Sequence, residues 1–209
     1  MIAFGVEQIM ERRAYFNSVS DQWDDWNREA DMLPRLERDL HGFGIRRGER
    51  VLDLGCGTGI LFEPLLDRVG PEGMVEGVDY ARFMVERAAG KHSDARLAGH
   101  VADAAFLPFR DGSVDRIVCF STWPHFPDPQ AVLVEAHRVL RPAGILHVWH
   151  VDGRDRINAI HRDLGGAVGT DLLVPAALLA AKATRVGFEP LVVLDEDDRY
   201  LVSLRRSRM

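Results

Sequence analysis

Three glycines within five positions form the most suggestive chemical pattern in this 209-residue chain. Gly55, Gly57 and Gly59 directly follow the mostly apolar residues 51–54. Glycine adopts positive φ at little cost and lets a ligand approach the main chain. If a helix begins behind the loop, its unpaired amides favour an anion there. The loop therefore predicts a site for a ligand with a negatively charged end, the alternative being a tight turn without a ligand.

The spacing of these glycines differs from that of a dinucleotide-binding loop. The pattern G-x-G-x-x-G would require its third glycine at position 60, where this chain has Ile60. The sequence therefore does not reproduce the loop that grips a pyrophosphate. This difference counts against a dehydrogenase.

Two acids are predicted to lie on the same edge of the sheet as the glycine loop. Asp79 ends the second predicted strand, where a carboxylate can accept hydrogen bonds from a ribose, or else cap the next helix. Asp103 ends the third predicted strand, where it can accept a hydrogen bond from an adenine amino group. Together these residues predict a site for an adenosine that carries an amino-acid arm.

Three histidines are candidates for proton transfer on the same side of the sheet. His125 follows the fourth predicted strand, His150 ends the fifth, and His161 lies three residues after Asn158 on a short predicted helix. Such an imidazole can act as a base or simply line the pocket. Convergence of all three on a metal is a further alternative, but their spacing resembles no compact metal motif, and we predict no metal site.

Two tryptophans in a short acidic link have two interpretations. Trp23 and Trp26 either anchor an amino-terminal arm to the body or belong to a lid over the glycine loop. Trp123 follows the fourth predicted strand. We expect Trp23, Trp123, His150 and Asn158 to line a substrate pocket.

The elements that must position these residues alternate between strand and helix. Strands are predicted at residues 51–54, 74–79, 96–103, 116–120 and 145–151, with helices at 60–69, 81–89 and 129–140. Alternation of this kind predicts a doubly wound α/β fold with a mostly parallel sheet. Residues 188–194 and 200–204 are predicted to add an antiparallel pair, which makes seven strands with an antiparallel last strand.

Length and composition favour one domain with a full core. Hydrophobic residues make up 46% of the chain and charged residues 28%, as is typical of globular proteins. We divide the predicted domain into a helical arm at residues 1–45, a ligand-binding core at 46–151, and carboxy-terminal helices with the final hairpin at 152–209. Pro34 is expected in the first turn of a helix at residues 32–43, and Pro64 in the middle of the helix that follows the loop.

The net charge and the pattern of apolar residues also limit which partners this chain can have. The net charge of −6 disfavours nucleic acid. No apolar run reaches the roughly 18 residues that a membrane span needs, and the first residues do not resemble a signal peptide, so we expect a cytoplasmic protein. Cys56 and Cys119 support neither a disulfide framework nor a cysteine zinc site. The sequence leaves monomer and homodimer open.

Five stretches, taken in order, resemble the class I methyltransferases that use S-adenosylmethionine, in particular their small-molecule branch called type 11. They are VLDLGCGTG, GVDYA, ADAAFLPF, VDRIVCF and EAHRVLRPAGIL, and they cover residues 50–150. The chain departs from the pattern at Ala143, where relatives usually have glycine, which bears on turn geometry rather than on function. The resemblance implies a Rossmann-like methyltransferase fold.

The resemblance also implies roles for individual residues. The implied cofactor-binding set is Asp53, Gly55, Cys56, Gly57, Gly59, Asp79, Tyr80, Asp103, Ala104 and Phe120. In-line methyl transfer to a small-molecule acceptor needs mainly positioning, to which His125 or His161 would add a general base. The alternatives are a non-catalytic protein that binds the cofactor and a nucleic-acid methyltransferase. The second is disfavoured because Ser121-Thr122-Trp123-Pro124 replaces the Asn/Asp-Pro-Pro-aromatic tetrapeptide of those enzymes.

Overall fold

The computed structural model describes residues 5–27 and 29–208. Seven strands form one sheet: β1 Arg50–Leu54, β2 Met74–Asp79, β3 Leu97–Val101, β4 Val114–Phe120, β5 Leu140–His150, β6 Phe188–Glu196 and β7 Arg199–Arg206. The helices are α1 Val6–Val19, α2 Trp23–Asn27, α3 Glu29–Gly42, α4 Phe62–Val69, α5 Arg82–Lys91, α6 Pro129–Val139, α7 Arg154–Leu164 and α8 Ala176–Thr184. Short 3-10 turns occupy Trp123–His125 and Gly166–Val168.

The strand order is β3-β2-β1-β4-β5-β7-β6. The first five strands pair in parallel, whereas β7 runs antiparallel to both β5 and β6. This arrangement confirms the predicted α/β fold with a mostly parallel seven-stranded sheet and an antiparallel last strand. The order changes direction beside β1, since β2 pairs with one side of β1 and β4 with the other. Ligands of open α/β sheets bind at such a point.

Alternate residues of the central strands pack on opposite faces of the sheet. Leu52 and Ile117 belong to a cluster that α6 and α8 cover. Val51 and Val118, their immediate neighbours in the chain, belong to a cluster that α3 and α4 cover. Because both faces are buried, these strands read as continuous apolar runs in the sequence.

Two predicted strand boundaries are wrong. The third strand was expected to run to Asp103, but β3 ends at Val101, and Asp103 lies in the turn that follows. The fifth strand was expected to begin at Ile145, but β5 begins at Leu140. Residues 141–144 form an irregularity within it, where Ala143 adopts φ +66°, a conformation that usually favours glycine.

The helix boundaries also differ from prediction around two prolines. Pro34 lies in the second turn of α3, which begins at Glu29, and so it removes one internal amide donor. Pro64 is the third residue of α4, where amides have no partner within the helix, so it need not bend the helix. Trp23 lies in the short helix α2 rather than in an irregular link.

The amino-terminal arm packs against the edge of the core. Phe16 and Val19 of α1 form a small apolar cluster with Met84 of α5 and with Val168. Arg87 of α5 donates to Asp21 at 2.5 Å, and Lys91 donates to Asp24 at 2.9 Å. These contacts place α1 and α2 beside the carboxyl ends of β1 and β2.

Candidate active site

A large cavity opens at the carboxyl ends of β1, β2 and β4. The space of the cavity together with its open mouth is about 1130 Å³. Its lining includes Asp53, Gly55, Cys56, Gly57, Thr58, Asp79, Tyr80, Asp103, Ala104, Phe120, Thr122 and His125. The arm contributes Ile9, Phe16, Trp23, Asp24 and Met32.

The glycine loop forms the floor of this cavity beside β1. The amides of Gly55 and Cys56 both donate to the carbonyl oxygen of Val78, at 2.7 and 3.0 Å. Gly55 has φ +79°, and a Cβ atom there would lie 2.2 Å from the Thr122 side chain. Backbone conformation and space therefore both require glycine at this position.

The other two glycines have different surroundings. A Cβ atom on Gly57, which has φ +51°, would lie 3.6 Å from Nε1 of Trp23. The main chain of Gly57 thus lies open to the cavity beneath the arm. Gly59 has φ +85° and backs onto the ring of Phe62, so it does not line the cavity. We therefore attribute Gly59 to the turn into α4 rather than to ligand contact, contrary to the expectation from sequence.

Asp79 joins the end of β2 to the glycine loop. Its Oδ2 accepts the amide of Gly57 at 3.0 Å, and its Oδ1 accepts the amide of Ala81 at 2.8 Å, just before α5. Burial raises the pKa of Asp79, and these two amide donors offset only part of that rise. The contact with Ala81 lies close to the helix-capping role that the sequence left as the alternative to a ribose contact, whereas the contact with Gly57 was not predicted.

Asp53 is a buried carboxyl at the floor of the cavity. It is 1% exposed, and its Oδ2 has no hydrogen-bond partner within the described part of the chain. Burial, together with the negative charge of Asp79, raises the pKa of Asp53 to about 8. An unpaired buried carboxyl fits a ligand that brings a cation to it.

The remaining residues of the predicted cofactor set lie around the cavity wall. Asp103 is exposed, and its Oδ1 accepts the amide of Ala105 at 2.9 Å. The hydroxyl of Tyr80 is buried and has no partner among the described residues, and burial raises its pKa. Burial also raises the pKa of the Cys56 thiol, which keeps it neutral.

His125 lies in the 3-10 turn after β4 and lines the cavity, and its ring also contacts a buried carboxylate. Its Nδ1 lies 2.8 Å from Oδ2 of Asp171. Arg12 of α1 donates to both oxygens of the same carboxylate, with its Nε 2.9 Å from Oδ2. Burial raises the pKa of Asp171, but the hydrogen bonds from His125 and Arg12 outweigh burial and leave it below its ordinary value.

The other two candidate histidines lie behind His125, outside the cavity lining. The rings of His161 and His125 are 4.8 Å apart, and Nδ1 of His161 lies 2.5 Å from the carbonyl oxygen of Asp171. His150 is 1% exposed, and neither of its ring nitrogens has a partner in the described chain. Burial lowers the pKa of both, for His150 to about 3.

Besides His150, two further residues expected in the substrate pocket are buried elsewhere. Trp123 is 2% exposed and packs in the core beneath α6 and α8. Asn158 uses its amide on the backbone of Leu173, donating at 3.0 Å and accepting at 2.7 Å. Asn158 therefore fixes the loop before α8, and His161, on the same helix, also bonds to that loop. Of the predicted substrate-pocket residues, Trp23 lines the cavity.

Sequence patterns missed several residues of this site. Asp171 lies in a loop of no recognisable motif, and Arg12 is one of many arginines, so neither carried a signal. Phe16 follows the helical periodicity of α1, which predicts burial but no particular neighbour. Thr122, which donates to the carbonyl oxygen of Gly55 at 3.0 Å, follows a strand end and could have been suspected on that ground.

Residues 5–27 and 29–208 contain neither a metal-binding cluster of side chains nor a membrane-spanning helix. No group of three or more histidine, cysteine, aspartate or glutamate side chains in these ranges is arranged to hold a metal ion. In the same ranges, no helix is both long and apolar enough to cross a membrane.

Comparison with known families agrees with the fold and with the motifs. Residues 52–148 match a family profile described as a methyltransferase domain. This stretch contains the glycine loop, Asp79, Asp103 and His125. Residues 52–148 of the chain therefore belong to this methyltransferase domain family, in the branch called type 11.

Individual relatives are similar over longer stretches. The 27-O-demethylrifamycin SV methyltransferase of Amycolatopsis mediterranei is 34% identical over 86% of this chain and 62% of its own length. The demethylmenaquinone methyltransferase of Geobacillus stearothermophilus is 31% identical over 67% of this chain and 63% of its own. This chain thus spans less than two thirds of the length of either relative.

A solved structure shares the fold at low sequence identity. A chain from the complex between the Haloferax volcanii Trm112 methyltransferase activator and a methyltransferase aligns with a TM-score of 0.73. The two chains are 18% identical, and the alignment covers 92% of this chain and 97% of that one. At this identity the likeness shows the fold alone.

Proposed function

We propose that this chain transfers a methyl group from S-adenosylmethionine to a hydroxyl group of an apolar small molecule. The observation that carries the proposal is a single cavity with two kinds of wall. One wall has the glycine loop and the carboxylates, and the other has Phe16, Phe126 and His125. A nucleoside cofactor and an apolar acceptor can meet in such a space.

The residues on the first wall suit S-adenosylmethionine. Asp53 would face its ammonium group, Asp79 its ribose hydroxyls and Asp103 its adenine amino group. The open main chain at Gly57 would allow close approach of the amino-acid arm. When bound, the cofactor supplies a methyl group on a positively charged sulfur that leaves readily.

The second wall supports an apolar acceptor that loses a proton. Phe16, Phe126 and Met32 offer apolar contact, and His125 is the histidine that lines the cavity. The relatives' printed names refer to demethylated rifamycin SV and menaquinone, and the first specifies an oxygen as the site. Excluding water and aligning the acceptor oxygen would supply most of the acceleration.

Calorimetry with S-adenosylmethionine and S-adenosylhomocysteine tests the cofactor half of the proposal. We expect both to bind with dissociation constants well below about 1 mM, and NAD to bind far more weakly because the loop lacks the dinucleotide spacing. If neither adenosyl compound binds below about 1 mM, the proposal is wrong.

Transfer of a labelled methyl group to hydroxylated aromatic and polyketide compounds tests the acceptor half. We expect label to appear in an apolar hydroxylated compound. Tight cofactor binding with no transfer to any compound or cell extract would favour the alternative, a non-catalytic protein of the same fold.

A further inference from the structure

Asp171 connects His125 to the amino-terminal helix through one buried carboxylate. His125 contacts Oδ2 from the cavity side, and Arg12 bonds both oxygens from α1. Arg12 and Asp171 are each 3% exposed. A two-point arginine–carboxylate pair restricts the carboxylate in both position and rotation.

This contact selects one form of the neutral His125 ring. A carboxylate only accepts hydrogen bonds, so the hydrogen in the contact belongs to Nδ1 of His125. In the neutral ring Nε2 then carries a lone pair and no hydrogen. The form with its hydrogen on Nε2 would place the lone pair of Nδ1 against the ionised Asp171.

Carboxylates, rather than the neighbouring histidines, would stabilise a positively charged His125 ring. His161 donates from Nδ1 to the carbonyl oxygen of Asp171, and burial lowers its pKa, as it does for His150. Both neighbouring imidazoles are therefore neutral. Asp79 and Asp171 interact electrostatically with His125, and Arg12 is paired with Asp171.

We propose that Asp171 is a positioning residue that orients His125 as the proton acceptor, and that Arg12 makes this orientation depend on docking of α1. The inference rests on the proposed function, because a base here is useful only if an acceptor enters the cavity. Asp171 acts through His125 and does not touch the acceptor.

The proposed step conserves atoms and charge. Nε2 of His125 takes the proton of the acceptor hydroxyl, and an electron pair of the acceptor oxygen forms the bond to the methyl carbon. The electron pair of the broken carbon–sulfur bond stays on sulfur. The positive charge that leaves the sulfur thus appears on the His125 ring, where Asp171 faces it.

Docking of α1 supplies a ring contact to His125 in addition to the charge of Arg12. Phe16 of the same helix contacts the His125 ring edge-on, with the ring centroids 5.0 Å apart. If α1 moved away, the Asp171 carboxylate would lose the bonds from Arg12 and become accessible to water. His125 would then lose both its oriented hydrogen-bond partner and the ring that packs against it.

Nitrogen NMR of the histidine rings tests this proposal in the ligand-free protein. Long-range ¹H–¹⁵N spectra distinguish a ring protonated at Nδ1 from one protonated at Nε2, and the variant H125Q assigns the signal. We expect the neutral His125 ring to carry its hydrogen on Nδ1. In D171N we expect a mixture dominated by the Nε2 form, and in D171E recovery of the Nδ1 form.

Two matched controls separate positioning from general loss of structure. D115N removes another paired acid, one that contacts Arg141 and the amide of Arg50 far from the cavity. R13M makes on the exposed side of α1 the same change that R12M makes on the buried side. We expect both controls to leave the His125 signal unchanged.

R12M tests the dependence on docking of α1. We expect hydrogen exchange of α1 amides to become faster by about tenfold or more, with the His125 signal shifting toward mixed forms. A His125 ring that carries its hydrogen on Nε2 in the unaltered protein would overturn the proposal, even if D171N failed to fold. An unchanged spectrum in folded D171N would also overturn it, and unchanged exchange and spectrum in R12M would overturn the dependence on α1.

Cofactor calorimetry on the same samples keeps this inference distinct from the proposed function. Absence of binding would refute the proposed function, whatever the state of the His125 ring. The wrong ring form with tight cofactor binding would refute the positioning role alone.

Discussion

The amide of Gly57 donates to Oδ2 of Asp79 at 3.0 Å, which joins the glycine loop to the end of β2 across 22 residues of chain. This bond fixes the loop that opens onto the cavity. It also means that a ligand bound to Asp79 would share a carboxylate already engaged by two amides.

Replacing Asp79 should therefore weaken cofactor binding strongly. D79A removes the carboxylate proposed to accept ribose hydroxyls and also frees the loop. Hydrogen bonds to charged groups contribute about 1.5–3 kcal/mol each, so we expect binding of S-adenosylhomocysteine to weaken by about 100-fold or more. Calorimetry measures this, with D67A on the exposed side of α4 as the control. Unchanged affinity in D79A would contradict the ribose role.

Asp53 should release a proton when the cofactor binds near neutral pH. With a pKa of about 8 its carboxyl is mainly protonated at pH 7, and a ligand ammonium would favour the ionised form. Affinity should then rise with pH up to about 8 and level off above it. Calorimetry in buffers of different ionisation enthalpy counts the released protons. We expect D53N to release none, and D67N, on the exposed side of α4, to release as many as the unaltered protein.

Two factors require glycine at position 55: the positive φ of its backbone and the lack of space for a Cβ atom. Substitutions at two glycines separate them. Gly48 and Gly55 have nearly equal φ, +81° and +79°, but a Cβ atom would meet nothing within 4 Å at Gly48. G48A should cost about 1 kcal/mol through backbone strain alone. G55A should cost more, because Thr122 must also move. Thermal unfolding without ligand measures both, and equal losses would show that the space next to Thr122 adapts freely.

His150 should make the fold sensitive to acid. The unfolded chain takes up a proton at this residue near pH 6.5, whereas the folded protein does so only near pH 3. Stability should therefore be full above pH 6.5 and should fall with decreasing pH, by at most about 1.4 kcal/mol per pH unit from this residue. H150F should flatten the dependence of the unfolding free energy on pH between 6.5 and 4. The exposed substitution H41F serves as control, and an equal slope in H150F would contradict the burial argument.

The residues that could be predicted from sequence are those whose position follows from local pattern. The glycine loop, Asp79 and the strand alternation depend on short runs of chain and on the rule that parallel strands bring their carboxyl ends to one edge. Asp103 reached the cavity despite the error in the end of β3, because the turn after the strand carries it there. Trp23 lines the cavity through α2, a helix that the sequence suggested only as a link.

The errors concern side chains whose direction depends on distant packing. Asn158 and His161 share a helical face, as spacing predicts, but that face turns toward the loop around Leu173 and Asp171 rather than into the cavity. Trp123 follows β4 just as His125 does, yet it enters the core. A turn of three residues sends these two rings in opposite directions, and nothing in their local sequence distinguishes them.

The sequence by itself determined the sheet, the resemblance to a methyltransferase domain family and the edge at which the glycine loop and the cavity lie, because hydrophobic period and glycine spacing are local properties. Only the tertiary structure decided which histidine faces the cavity and what holds it. Asp171 lies 46 residues from His125 and 159 from Arg12. Contacts over such separations depend on how loops and helices pack, and no single segment of chain encodes that packing.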